Sequence, residues 1–170
     1  MKKGDKMSQI LYFAKTKEAA IIPSKREEDG AFDIYACFED DYMVIAPHET
    51  KLIPTGLASA FSSDYVAILK ERGSTGTKGM GQRAGVIDSG YRGEWFVAVT
   101  NHNSVPLIIA KESADKTSFA QEAIIYPYEK GIAQVIMVEV PKLHTEEISY
   151  EDLLKMESER GAGALGSSGK

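Results

Sequence analysis

Two aspartates stand where the surrounding residues alone would not call for a charge. Asp33 interrupts the apolar run AFDIYA (31–36), and a carboxylate on such a strand needs a partner, a metal or a water unless the strand is half solvated. Asp88 follows Val86 and Ile87 in GVIDSGYRGE (85–94) and precedes a Ser-Gly turn. Aspartates at hairpin turns commonly bond nearby backbone N–H groups, so a turn former is one reading of Asp88. The other takes Tyr91 into account: an aromatic ring beside a carboxylate on a hairpin suits a small planar ligand, whose edge backbone groups can read. KERGSTGTKGMGQRAG (70–85) gathers hydroxyls and glycines around Arg72 and Lys78, either as a phosphate cradle or as a long polar loop. The GxxxxGK[ST] spacing of a P-loop is absent. Gln134 interrupts GIAQVIMV and needs hydrogen-bond partners there or solvent on one face. Arg160 heads the glycine- and serine-rich tail SERGAGALGSSGK (158–170), which reads as a disordered tail or as an arm closing its backbone N–H groups on a phosphate.

These residues need a scaffold, and the chain supplies strands. QILYFAK, AFDIYACF, KLIPTGLASAF, YVAILKE, EWFVAVTN, VPLIIAKE and IAQVIMVEV are short, rich in branched and aromatic residues, and separated by turn formers. Their number predicts an all-β sandwich or barrel. One short helix is predicted within HTEEISYEDLLKMES near the C-terminus. The polar stretch 111–122 is a solvated loop on this reading, residues 1–7 are frayed, and one domain spans 1–157. A length of 170 residues suits one domain or one subunit of an oligomer. The net charge of −5 argues against a nucleic-acid or anionic-membrane surface without excluding a local cationic pocket. No apolar run approaches the ~20 residues of a membrane span. The single cysteine, Cys37, forms no internal disulfide and points to a reducing cytoplasm. His48, His102 and His144 lack the spacing of a zinc site.

In their order and spacing the five polar pieces resemble the motifs of the trimeric dUTPase family, over about residues 25 to 170. AFDIYA is similar to its first motif, ERGSTG (71–76) to its second, GVIDSGYRGE to its third, GIAQ (131–134) to its fourth and RGAGALGSSG (160–169) to its fifth. The resemblance implies a jelly-roll or distorted β-barrel subunit in a homotrimer whose active sites lie between chains, each closed by a mobile C-terminal arm (158–170) from a neighbour. It implies hydrolysis of dUTP to dUMP and pyrophosphate with Mg²⁺. Asp88 would activate the water and bond the 3′-hydroxyl, and Tyr91 would pack on the deoxyribose and exclude UTP. Backbone around Gly85, Val86 and Ile87 would read uracil, with Gln82 where many members have Asn. Asp33 would hold Mg²⁺ through water. Arg72, Gly73 or Ser74, Gln134 and Arg160 would meet the phosphates, with Leu165, Gly166, Ser167 and Ser168 contributing from the arm.

Three departures from the family pattern stand out. Gly73 separates Arg72 from Ser74, so either Gly73 N–H or Ser74 takes the second-motif contact. Gly131 stands where a basic residue is usual, leaving that charge missing or replaced by Lys130. Leu165 replaces the usual Phe, retaining only the apolar part of a base stack worth roughly 1–3 kcal/mol. Residues 111–122 look like an insertion, offering a surface to a regulatory protein partner; insertions of this kind occur in some phage-encoded relatives, which leaves a phage or bacterial source open. A dCTP deaminase of the same fold would need a catalytic Glu where Ala98 stands. A nucleotide-sensing binding protein is the remaining rival class.

Overall fold

A computed structural model describes residues 10–163. The expectations for residues 1–7 and for Leu165, Gly166, Ser167 and Ser168 fall outside them. The chain divides into two units, Met1–Val140 and Pro141–Lys170.

Among the described residues the first unit has twelve strands: β1 (Tyr12–Lys15), β2 (Phe32–Ile34), β3 (Tyr42–Ile45), β4 (Thr50–Pro54), β5 (Leu57–Ala60), β6 (Tyr65–Lys70), β7 (Met80–Arg83), β8 (Val86–Ile87), β9 (Phe96–Asn101), β10 (Leu107–Ala110), β11 (Ile124–Pro127) and β12 (Ala133–Glu139). Among the described residues helix is confined to α1 (Gly73–Gly76), a 3₁₀ turn at Lys116–Ser118 and, in the second unit, α2 (Tyr150–Leu154). The strands pair as β1-β5, β11-β10-β3, β2-β12-β6-β8 and β4-β9-β7. The fold is therefore all-β.

Alternation explains how so many short strands share one core. Ala67 and Leu69 on β6, Val97 and Val99 on β9, Leu107 and Ile109 on β10, and Ala133 and Val135 on β12 lie two residues apart and are all buried in a single cluster. Full burial of each large aliphatic side chain contributes roughly 1.5–3 kcal/mol. Intervening residues such as Ile68, Gln134 and Ile136 point to the other face.

The run KLIPTGLASAF makes two strands because Gly56 turns the chain with φ +67°. A Cβ at this position would lie 2.8 Å from Ala20 Cβ and 2.9 Å from Cys37 Sγ, so only glycine fits.

Residues 111–123 join β10 to β11, which pair in parallel. A parallel pair cannot be closed by a tight turn and needs a connection of about a dozen residues or more. This segment meets that requirement. The segment is also partly packed: Ala114 is buried with Ile108 and Ala110, and Phe119 meets Tyr42 edge-on with centroids 4.9 Å apart. Asp115 caps the 3₁₀ turn by accepting from Thr117 N–H at 2.9 Å.

In the second unit, Ser149 caps α2 by accepting from Asp152 N–H at 3.1 Å. Arg160 Nε donates to the Gly163 carbonyl at 3.0 Å.

Candidate active site

The four-stranded sheet β2-β12-β6-β8 carries most of the residues singled out above. Asp33, Gln134 and Lys70 are register partners across its first three strands. The pairs Ala67–Ile87 and Ile68–Val86 place Asp88 just past the end of β8, level with Val66. Even offsets along paired strands keep the face, so Asp33, Gln134 and Asp88 belong to the same outward face. Three strand spacings and four residue rises separate Asp33 from Asp88, a Cα distance of roughly 20 Å.

The structure accordingly gathers the expected residues into two cavities. The larger, about 790 Å³, is lined by Asp33, Arg72, Gly73, Ser74, Gln134 and Ile136, together with the charged loop of residues 24–31. Arg72 leaves the end of β6 and becomes the N-cap of α1. Its guanidinium grips Asp33 with two bonds, Nε to Oδ1 at 2.7 Å and Nη2 to Oδ2 at 2.9 Å. Its Nη1 donates to Ser74 Oγ at 3.1 Å and to the Gly131 carbonyl at 3.2 Å. Both partners of the Asp33–Arg72 pair are about one-third exposed or less. Burial draws the Arg72 guanidinium down, and the bond to and charge of Asp33 outweigh it, holding the group above its ordinary value.

Gly131 has a packing reason. A Cβ there would come within 3.3 Å of Arg72 Cδ and Nε, so the bare backbone is what lets the guanidinium lie across it. Its carbonyl also accepts from Tyr126 Oη at 2.7 Å. Lys130 is not among the residues lining the cavity. Gln134 finds its partner in the Glu71 carbonyl, Nε2 to O at 2.7 Å. At Gly73 a Cβ would meet nothing within 4 Å, so nothing in this chain requires a glycine there.

The smaller cavity, about 300 Å³, is lined by Gly85, Val86, Ile87, Asp88 and Tyr91, with Leu69, Ala84, Glu94, Trp95 and Phe96. The segment 85–94 is not the hairpin its sequence suggests: β8 pairs with β6 and β9 pairs with β4 and β7, so residues 88–95 cross between sheets. Tyr91 N–H closes a turn onto the Asp88 carbonyl at 3.0 Å. Arg92 Nη1 donates to the carbonyls of Ser89 at 2.6 Å and Ser59 at 3.3 Å, tying that turn to β5. Glu94 Oε1 accepts from Gly56 N–H at 2.7 Å, and Trp95 N–H donates to the Leu57 carbonyl at 2.7 Å. Trp95 is buried, meeting Phe13 edge-on at 5.3 Å. Tyr91 lies over Gly93, and its hydroxyl donates to the Glu94 carbonyl at 3.0 Å. The Asp88 carboxylate is exposed at the tip of this braced crossing.

Gly85 is required by the backbone: its φ is +97°, and a Cβ would sit 3.0 Å from the Leu69 carbonyl oxygen. Gln82 lies on β7, where its N–H donates to Glu71 Oε1 at 2.7 Å and its Nε2 to the Arg83 carbonyl at 2.8 Å. It lines neither cavity. The bond from Gln82 N–H, foremost, holds the Glu71 carboxyl below its usual range.

Sequence reasoning passed over Glu94, Arg92, Trp95 and the loop of residues 24–31. In that loop the spacing of Arg26 and Asp29 was a signal for a local ion pair, but not for its position at a cavity. Arg160 is described with the second unit, by its bond to Gly163.

The family model described as dUTPase matches residues 17–114. The deoxyuridine 5′-triphosphate nucleotidohydrolase of Nautilia profundicola is 34% identical over 164 residues, covering 94% of this chain and 99% of its own. The chain belongs to the dUTPase family. A dUTPase of Neisseria meningitidis serogroup C is 33% identical, with 89% of each chain covered. Among solved structures, a Staphylococcus bacteriophage 80alpha dUTPase with dUpNHpp has a TM-score of 0.71 at 21% identity, covering 95% of this chain and 99% of that one. The dUTPase of phage phi11 of S. aureus, with a structural Mg(II) ion, has a TM-score of 0.67 at 19% identity, covering 84% and 99%. These likenesses support the dUTPase-like β fold read from the sequence. Among the described residues no helix is long and apolar enough to cross a membrane.

Proposed function

We propose that the chain hydrolyses dUTP to dUMP and pyrophosphate, as a homotrimer whose sites are completed between copies. The observation that carries this reading is the division of the site. Asp33, Arg72, Ser74 and Gln134 form a phosphate-binding half, and Asp88 with Tyr91 a nucleoside-side half, roughly 20 Å away on the same sheet face. A site assembled from the phosphate half of one copy and the nucleoside half of another brings the two within easier reach of one triphosphate than the full width of a single sheet does. The apolar character of the shared face supports such a neighbour: Val86 is 66% exposed and Val138 41%.

In the assembled site the Asp88 carboxylate takes a proton from a water as the oxygen attacks the α-phosphorus. The new P–O bond forms as the bond to the bridging oxygen breaks, and pyrophosphate leaves. Such general-base assistance contributes about 10²–10⁴-fold. Asp88 also accepts from the 3′-hydroxyl, while Tyr91 covers the sugar face where a 2′-hydroxyl would project. Backbone groups of Gly85, Val86 and Ile87 read uracil, with Gln82 supporting them from β7. Arg72, Ser74, the Gly73 N–H and Gln134 orient the phosphates, and Arg160 with Leu165, Gly166, Ser167 and Ser168 closes the site as an arm.

The donor set fits Mg²⁺ held by one carboxylate. Among the described residues no three His, Cys, Asp or Glu side chains come together as a metal cage. Mg²⁺ retains waters and takes further oxygens from substrate phosphates, so Asp33 alone suffices to hold it through water. When bound, the ion neutralises phosphate charge. The deaminase reading has no support, because Ala98 on β9 offers no carboxylate.

Pyrophosphate release from dUTP, dCTP, dTTP and UTP, with Mg²⁺ or EDTA, tests this reading. Turnover of dUTP alone is expected, falling about 10²–10⁴-fold in Asp88→Asn. Ammonia release from dCTP contradicts it. Asp88→Asn and Arg72→Ala chains, each inactive alone, are expected to restore turnover when co-expressed, because mixed assemblies contain intact sites. Absence of restored turnover in verified mixed trimers contradicts shared sites.

A further inference from the structure

The larger cavity contains a second guanidinium that the dUTP reading does not use. Arg26, like Arg72, lines it, coming from the loop of residues 24–31. This loop is an organised turn. Lys25 Nζ gathers the carbonyls of Asp29 at 2.7 Å, Arg26 at 3.3 Å and Glu27 at 3.4 Å, and lies 5.5 Å over the Phe32 ring. Arg26 closes the turn on Asp29, with Nε to Oδ2 and Nη2 to Oδ1 both at 2.9 Å.

The two arginines differ in what they can still offer. A guanidinium has five N–H donors. Arg72 directs four to Asp33, Ser74 and Gly131, is only 27% exposed, and carries a charge already matched by Asp33. Most of its bonding capacity is spent on the frame, so it offers the phosphates one remaining N–H. Arg26 directs two N–H groups to Asp29, leaving three, and its side chain is 87% exposed. The charged lining of the cavity is Arg26 and Arg72 against Glu28, Asp29 and Asp33. That balance is unfavourable for a polyphosphate, and Gly131 contributes no charge.

We infer that Arg26 is the cavity's exchangeable phosphate ligand: on binding, its guanidinium leaves Asp29 for the terminal phosphates of the substrate, supplying the cation that position 131 lacks. This rests on the dUTP reading for the identity of the substrate, though not for the site. The exchange is a small motion. The side chain is exposed, the turn stays held by Lys25, and the Lys25 ammonium remains beside the released Asp29 carboxylate, whose charge it already favours. An exposed arginine paired to one carboxylate gives up little by the exchange, because solvent screens such a surface pair and hydrates both groups once they part. Against a doubly bonded phosphate it gains charge-assisted bonds of fixed fork geometry.

The test uses the full chain and two probes. Calorimetric titration with inorganic tripolyphosphate plus Mg²⁺ reads the site without turnover, and steady-state kinetics on dUTP read it in catalysis. Arg26→Ala is expected to weaken tripolyphosphate and raise KM for dUTP by about tenfold each, with kcat nearly unchanged. Inhibition by dUMP, which lacks the terminal phosphates, should be unaffected. Arg26→Lys should recover part of the loss. Asp29→Asn should act in the opposite direction, lowering KM, because it frees Arg26 in advance. Both side chains are at the surface, and unchanged melting of the three variants separates this role from a structural one. Arg26→Ala that leaves both tripolyphosphate affinity and KM within about twofold overturns the inference, as does an equal loss for dUMP. Arg26-dependent tripolyphosphate binding without dUTP turnover would sustain the site and refute the dUTP reading; neither binding nor turnover in the wild type would refute both.

Discussion

Replacing Gly93 by alanine adds one carbon aimed at Tyr91. That Cβ would overlap Tyr91 Oη and lie 2.6 Å from Cζ and 2.9 Å from Cε2. Carbon contacts settle near ~3.5–4.0 Å, so the ring has to move by about 1 Å. Gly93 does not have a positive φ, so the backbone itself accepts alanine. Tyr91 is 46% exposed, and the ring can swing toward solvent without disturbing the core. The stability loss is then close to that of the Tyr91–Glu94 bond, about 0.5–1.5 kcal/mol, which lowers Tm by only a few degrees, at about 2–4 °C per kcal/mol. Catalysis is more sensitive, since a misplacement of about 1 Å costs up to 10²-fold. Steady-state assays with dUTP and UTP should show kcat/KM for dUTP reduced about 10- to 100-fold and the preference over UTP narrowed. Gly90→Ala is the matched control: a Cβ there meets nothing within 4 Å, and activity and Tm should be unchanged. Gly93→Ala with wild-type kcat/KM and dUTP preference would refute the role given to Tyr91. A fall in Tm beyond about 10 °C would show instead that Gly93 serves packing.

Other consequences concern the scaffold. Glu71 has a folded-state pKa below its ordinary value of 4.5, so it stabilises the fold above about that pH and loses the contribution as pH falls through the lowered value. Glu71→Gln should therefore melt below wild type at pH 7, with the gap narrowing as both are scanned below pH 4.5; a constant gap contradicts the linkage. Gly56→Ala meets Ala20 and Cys37 within 3 Å and forces a side chain to φ +67°. It should cost roughly 2–5 kcal/mol, and a denaturant midpoint equal to wild type would contradict the steric reading.

Much of the architecture was legible because alternation is local. The strand content of YVAILKE, EWFVAVTN and IAQVIMVEV shows in the branched residues themselves, and β6, β9 and β12 lie within them. What escaped was either unpatterned or set by distant partners. β7 reads as part of a glycine-rich loop because Met80–Arg83 has little apolar content, and it is a strand because β9 pairs with it. The stretch 111–122 reads as a polar loop, and only the parallel pairing of β10 and β11 shows that it also lies in the connection between them. GVIDSGYRGE reads as a hairpin, yet its two ends belong to different sheets, because Glu94 and Trp95 are claimed by Gly56 and Leu57.

The candidate site shows the same limit in its chemistry. Sequence gives Arg72 and Arg26 the same side chain and cannot rank them. Only the fold shows that Asp33, 39 residues away, and Gly131 take most of the Arg72 donors, whereas Arg26 answers to one neighbour three residues on. Asp88 differs from Asp33 in the same manner. Asp33 is held by two guanidinium bonds and belongs to the frame, while the bonds around Asp88 brace its backbone and leave its carboxylate at the surface. A group whose hydrogen-bonding capacity is spent within the chain must break those bonds before it can act on a ligand. A group that the chain positions and does not consume is ready to act, so substitutions at Asp88 and Arg26 should change chemistry and substrate affinity with little change in stability, whereas substitutions at Asp33 and Arg72 should disturb the frame and the site together.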